Sequence, residues 1–169
     1  MVKHVVLCCL VLTLALGCSK TPEPPKQIPS TFYGTFGDVN DDISLTLKVE
    51  QDAGNLKGTY RIDRPGKKFD GEFTGTTAGS DVHISLAIPE DIQKRLAWTP
   101  TIELELNLGE IGVAELSQKF TAAGQTMPKK LRDRGSVPQL GGWANYQENG
   151  QDKKKLIVLY NLVADEPKS

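Results

Sequence analysis

The residues that could do chemistry are few, and their spacing decides what kind it would be. Glu103 and Glu105 stand two positions apart in an alternating run; on a β-strand that spacing projects both carboxylates from one face, about 7 Å from each other. The separation falls within the range of an acid–base pair in inverting glycoside hydrolysis, although outward glutamates on a strand are ordinarily just solvated. Asp38, Asn40 and Asp42 carry oxygens at the first, third and fifth positions of a calcium loop, but Ile43 takes the glycine position and Val49 the closing glutamate position. An acidic turn between strands is the better account. His83 is the one histidine beyond the opening residues. A zinc site would need further His or Cys ligands and a serine nucleophile an elbow turn, and neither accompanies it. No glycine loop of phosphate-cradling type is present. The expectation is therefore no catalytic residue, no metal ligand and no cofactor.

Thiols are confined to one end. Cys8, Cys9 and Cys18 are the three cysteines, so the chain beyond residue 18 can form no internal disulfide. Lys3 supplies a positive start, and Val5 to Gly17 then runs without charge. That is the layout of a signal peptide, too short to act as a spanning helix of about 20 residues. It ends Leu14-Ala15-Leu16-Gly17-Cys18, which resembles the lipobox of bacterial lipoprotein precursors, with Ala15 and Leu16 in swapped order. The resemblance implies cleavage of residues 1–17, a diacylglycerol thioether on Cys18 and a fatty acid such as palmitate on the new amino terminus. One acyl chain binds a bilayer only marginally, and stable anchoring takes two or more. Ser19 stands where an aspartate would mark retention in the inner membrane, which implies the cell outer membrane.

Residues 18–30 follow as a tether: four prolines lie between Ser19 and Ser30, a composition suited to an extended spacer of about 3 Å per residue that holds the domain a few nanometres from the headgroups. Residues 31–163 form one domain, long enough to bury a core without staples, and 164–169 read as a flexible tail. Without Lys3 the chain carries nineteen basic and twenty-one acidic side chains; that balance offers no field to recruit nucleic acid. Lys129-Lys130-Leu131-Arg132-Asp133-Arg134 and Lys153-Lys154-Lys155 are local exceptions. Each is expected to be a solvated turn beside an apolar strand, with contact to anionic lipid or a partner as the alternative.

The elements that must position these groups are mostly strands. Ile43, Leu45, Leu47 and Val49 alternate with polar residues; Asp52-Ala53-Gly54-Asn55 turns, and Leu56, Gly58, Tyr60 and Ile62 return. Further strands carry Phe69 and Phe73, then Val82 to Ile88, then Ile102 to Leu108, with a short helix over 89–96 between the last two. A last strand spans Leu156 to Val163 with both faces apolar, as if covered on two sides. Residues 109–142 resist assignment: Val113, Leu116 and Phe120 have helical spacing, yet 113–116 could also be strand, and six glycines and prolines punctuate the rest. A binding site is sought there first, because a long irregular stretch in a compact domain is commonly functional. Trp98 and Trp143 are placed at element ends, packing at the core edge.

These strands predict a mainly β fold: one antiparallel meander closing into a small barrel or forming a sandwich, with one or two short helices. Gly34-Thr35-Phe36 and the return Gly58-Thr59-Tyr60 resemble the opening of lipocalin and avidin-type barrels. Phe36 stands for the usual tryptophan and Ile62 for a biotin-contacting serine, so the resemblance implies geometry and no biotin. The expected role is a membrane-anchored, non-catalytic binding or envelope-assembly module, whose partners are the bilayer through acylated Cys18 and either an apolar ligand or an envelope protein. The alternative is a structural, surface-exposed envelope lipoprotein that touches headgroups or another chain through its sheet or residues 129–134; a hydrolase using carboxylates ranks last.

Overall fold

Alternation of apolar and polar side chains becomes eight antiparallel strands closed into a barrel in a computed structural model. It describes residues 24–36, 43–122, 124 and 126–162. The signal segment, Cys18, the Asp38–Asn40–Asp42 set and the tail 164–169 lie outside the described residues. Strands β1 (Thr31–Phe36), β2 (Ser44–Asp52), β3 (Asn55–Arg64), β4 (Lys67–Ala78) and β5 (Asp81–Ala87) precede helix α1 (Glu90–Leu96). Then come β6 (Thr101–Gly112), helix α2 (Val113–Ala122), a single 3-10 turn (Lys129–Leu131), β7 (Ser136–Glu148) and β8 (Gln151–Tyr160). Each strand pairs with the next, and β1 pairs back with β8, Gly34 standing opposite Leu159. The barrel alternative holds over the sandwich.

Closing so small a barrel needs sharply bent strands. Gly34 on β1 and Gly142 on β7 allow it: a Cβ on Gly34 would strike the carbonyl oxygen of Val158, and one on Gly142 that of Glu105. Gly71 serves differently. The Tyr60 ring lies over it, where a methyl would collide, and the Tyr60 hydroxyl continues across β4 to donate to the carbonyl of Ala87 at 2.7 Å. Burial, aided by the Asp70 charge, pushes that hydroxyl up to about 12.

The interior is filled. Phe32, Leu45, Leu47, Ile62, Val82, Leu86, Ile102, Leu140, Ile157 and Leu159 have no exposed surface. Each such side chain contributes about 1.5–3 kcal/mol of apolar burial. One mouth is stoppered by aromatics: Tyr60, Phe69, Trp98 and Tyr146 meet edge to face in sequence, with centroids 5.6–6.5 Å apart. The Trp98 indole N–H donates to Glu148 at 3.1 Å, and the Arg64 guanidinium stands 5.8 Å above its ring.

The opposite mouth is closed by the segment expected to be free tether. Ile28 is buried in the barrel core; its amide donates to the Gln51 side chain at 2.8 Å, and the Lys26 amide reaches the Gly79 carbonyl at 3.3 Å. One isoleucine among prolines suffices, because the barrel end offers it an apolar seat. Residues 26–30 thus belong to the folded barrel and not to a free tether.

Three further expectations are corrected. Residues 136–148 are a full strand, hidden in the sequence because its inward positions Gly142 and Ala144 are small and Pro138 and Gly141 look like turns. Trp143 therefore sits mid-strand on the outer surface and is 43% exposed, not at an element end packing at the core edge. The last strand begins at Gln151, so Lys153, Lys154 and Lys155 belong to β8 and not to a turn. Ile157 and Leu159 face inward, Tyr160 is covered from outside, and Leu156 is left 49% exposed, so the strand is covered on two sides only at its end.

Candidate functional site

A meander puts alternate connections at opposite mouths. At the mouth closed by Ile28 lie the β2–β3 and β4–β5 turns, the β6–β7 connection and the end of β8. The β6–β7 ladder overruns this mouth, continuing through Glu110–Pro138 to Gly112–Ser136. Beyond the mouth the inward positions have no core to enter, and Glu110 is exposed. The outward positions are apolar instead, Ile111 opposite Val137, and they need a cover.

That cover is the stretch the sequence left unassigned. Helix α2 and the 3-10 turn fold over the outer face, burying Leu116 and Leu131 completely against Ile111, Val113, Met127 and Val137. Phe120, Tyr160 and Leu162 pack at the edge of this second core. Burial here raises the pKa of the Tyr160 hydroxyl, and the Glu115 charge adds to the effect. Asn161 fastens the seam: its backbone N–H donates to Pro138 and its side-chain amide to the Thr31 carbonyl, at 2.9 and 3.0 Å.

Between α2 and the 3-10 turn runs a groove of about 760 Å³. Val113 and Met127 supply buried apolar surface to it, Ser117 and Thr126 bring hydroxyl donors while Thr121 donates its own to the Ser117 carbonyl at 2.9 Å, and Arg132 and Arg134 bring positive charge. Elsewhere on the barrel several basic groups have acidic partners: Arg61 with Asp70, Lys68 with Asp63, Lys94 with Glu90, Arg95 with Asp91. Among the described residues no ion pair involves Lys129, Lys130, Arg132 or Arg134. The groove combines apolar surface, hydroxyl donors and uncompensated cations, a set that suits an amphiphilic anion.

The other sequence candidates are dispersed over the outer wall. His83 points outward on β5, opposite Glu105. Glu103 and Glu105 are both exposed on β6, and the Ser85 hydroxyl donates to Glu103 at 2.7 Å. Ser85, His83 and the two glutamates thus share an open sheet face, but the serine proton goes to a carboxylate and not to an imidazole. A triad needs the reverse. A shallow depression of about 590 Å³ beside Glu103 is lined by Asn145, Tyr146, Asp152 and Lys154. Its mixed charges form no acid–base pair across a cleft. Among the described residues no cluster of three His, Cys, Asp or Glu side chains could hold a metal, and no helix is long and apolar enough to cross a membrane.

The sequence reasoning missed one surface. Trp143 and Leu156 are register partners on β7 and β8, with the Lys154 ammonium 5.1 Å from the indole centroid. Tyr33, 41% exposed on β1, is the partner of Tyr160. These side chains, with Val158 and the bare Gly141, make an apolar strip on the outside of β1, β8 and β7. Its signal was the doubly apolar pattern of Leu156 to Tyr160. Comparison with protein families, curated proteins and solved structures found no match to the chain.

Proposed function

We propose that this chain is an outer-membrane lipoprotein anchored through acylated Cys18, and that its barrel is a non-catalytic assembly module that engages another envelope protein. The lipobox-like run Leu14 to Cys18 motivates the anchor. The observation that carries the rest is the filled barrel: with Phe32, Leu45, Leu47 and Ile62 fully buried at its centre, the interior has no room for an apolar ligand, which in barrels of this size takes the place of packed side chains. The outer strip of Tyr33, Trp143 and Leu156 supports the partner role, since large apolar and aromatic side chains exposed together mark interaction surfaces.

Intact mass of the membrane-extracted protein tests the anchor. The expected result is loss of residues 1–17 and added acyl mass on Cys18; an unmodified Cys18 would overturn it. For the module, a photo-crosslinking side chain at position 143 should trap one discrete envelope protein in cells, and the same group at His83 should trap none. Equal, diffuse labelling from both positions would defeat the partner role.

A further inference from the structure

The tether and the basic groove leave the barrel at the same mouth, and they share a turn. The Lys26 amide bonds the Gly79 carbonyl, and the carbonyl of the next residue, Ser80, accepts from Leu108 at 2.7 Å. Leu108 lies on the stretch of β6 from which the α2 lobe springs, and Asn107 reinforces the joint through Ser80 and Asp81. Seven residues, 19–25, separate Cys18 from this docked point, and the eight steps from Cys18 to Lys26 reach at most about 29 Å. An acylated Cys18 therefore holds the mouth that carries the groove within a short distance of the bilayer, with the Trp98 mouth turned away.

From this geometry we infer that the α2 lobe is a headgroup-binding surface: Arg132 and Arg134, with Ser117 and Thr126, engage the phosphate of anionic phospholipid in the membrane that holds the anchor. The inference rests on the anchored reading above for its orientation. Guanidinium groups bind phosphate oxygens in pairs and hydroxyls donate to those that remain. The apolar surface of Val113 and Met127 suits the glycerol and first methylenes behind the phosphate. Lys129 and Lys130, exposed on the adjoining turn, add attraction to an anionic surface at about 1 kcal/mol each, roughly a five-fold gain in binding. The other basic run, Lys153 to Lys155, lies near the far mouth beside the Asn149–Gly150 turn, and Lys154 is held over Trp143. Of the two basic runs, the tethered end carries the one whose cations have no ion pair or ring contact among the described residues, whereas Lys153 donates to Gln151 and Lys154 lies over Trp143.

The test uses the full chain with Cys18→Ala in every arm, so that acylation plays no part and the apolar leader contributes equally throughout. Sedimentation with vesicles of pure phosphatidylcholine and with vesicles containing phosphatidylglycerol isolates the charge-dependent binding. Arg132→Ser with Arg134→Ser should lower that component about ten-fold or more, while Lys153→Ser with Lys154→Ser should leave it within two-fold. Loss of equal size in both pairs, or no loss in the first, overturns the inference. Millimolar inorganic phosphate should fail to displace the parent chain; displacement would assign the groove to a free anion instead. Should the arginine pair disturb folding, judged by thermal unfolding, Lys129→Ser with Lys130→Ser replaces it and should lower binding at least five-fold, no change counting against the surface. The anchor is judged separately by the mass at Cys18, so either idea can fail while the other stands.

Discussion

At the residue scale, two neighbouring glycines on β7 have opposite duties. Gly142 faces inward against the Glu105 carbonyl, whereas nothing lies near a Cβ on Gly141. Gly142→Ala must push two strands apart and should cost about 2–3 kcal/mol, while Gly141→Ala should change stability by less than about 0.5 kcal/mol; chemical denaturation of the pair checks the contrast, and equal costs would refute it. Tyr60 offers a second measurement. Its hydroxyl, at about 12 against an ordinary 10, keeps its proton more firmly in the folded state than in the unfolded chain. The linked stability is complete below about pH 10 and is lost as pH rises through 12. Tyrosinate absorbance should show a late step that Tyr60→Phe removes, and a parent protein whose tyrosines all titrate near 10 would contradict the buried position. Neither feature was legible beforehand: the sequence showed glycines between aromatics and so a bent strand, but not which glycine touches backbone and which faces water.

At the element scale, legibility followed the alternation. β2, β3, β5 and the first part of β6 were readable because one buried face imposes a period of two. β7 was not, because a barrel bent at Gly142 places small residues where the pattern calls for large ones. The α2 lobe was ambiguous for another reason: Ile111 and Val137 sit on the outward parity of an overrunning strand pair, so their burial follows from a helix that lies between them in the chain. The lobe therefore has its own core and its own vulnerability. Leu116→Ala should cost about 2–5 kcal/mol and open α2 selectively. Hydrogen exchange should then quicken at amides of Val113–Ala122 while those of β3 and β4 stay protected; uniform acceleration would mean that the two cores are one cooperative unit.

At the scale of the whole molecule, a meander with short turns was foreseeable from strand spacing, whereas closure stayed open between barrel and sandwich, since glycines between aromatics permit the bend without requiring it. Nor was it legible which mouth the amino-terminal segment closes, since that depends on Ile28 finding a seat across the barrel end from β1. That seat also changes how the molecule would bear tension. A pull on the amino terminus first draws out Ile28 and parts the Lys26–Gly79 contact, absorbing the load before any strand moves. It then meets β1, which is bonded along both edges, to β2 and to β8, and is pulled along its own length. Both ladders must then slide at once instead of unzipping one bond after another. The docked segment acts as a sacrificial latch in front of a shear joint, a mechanically firm way to moor a domain by one end.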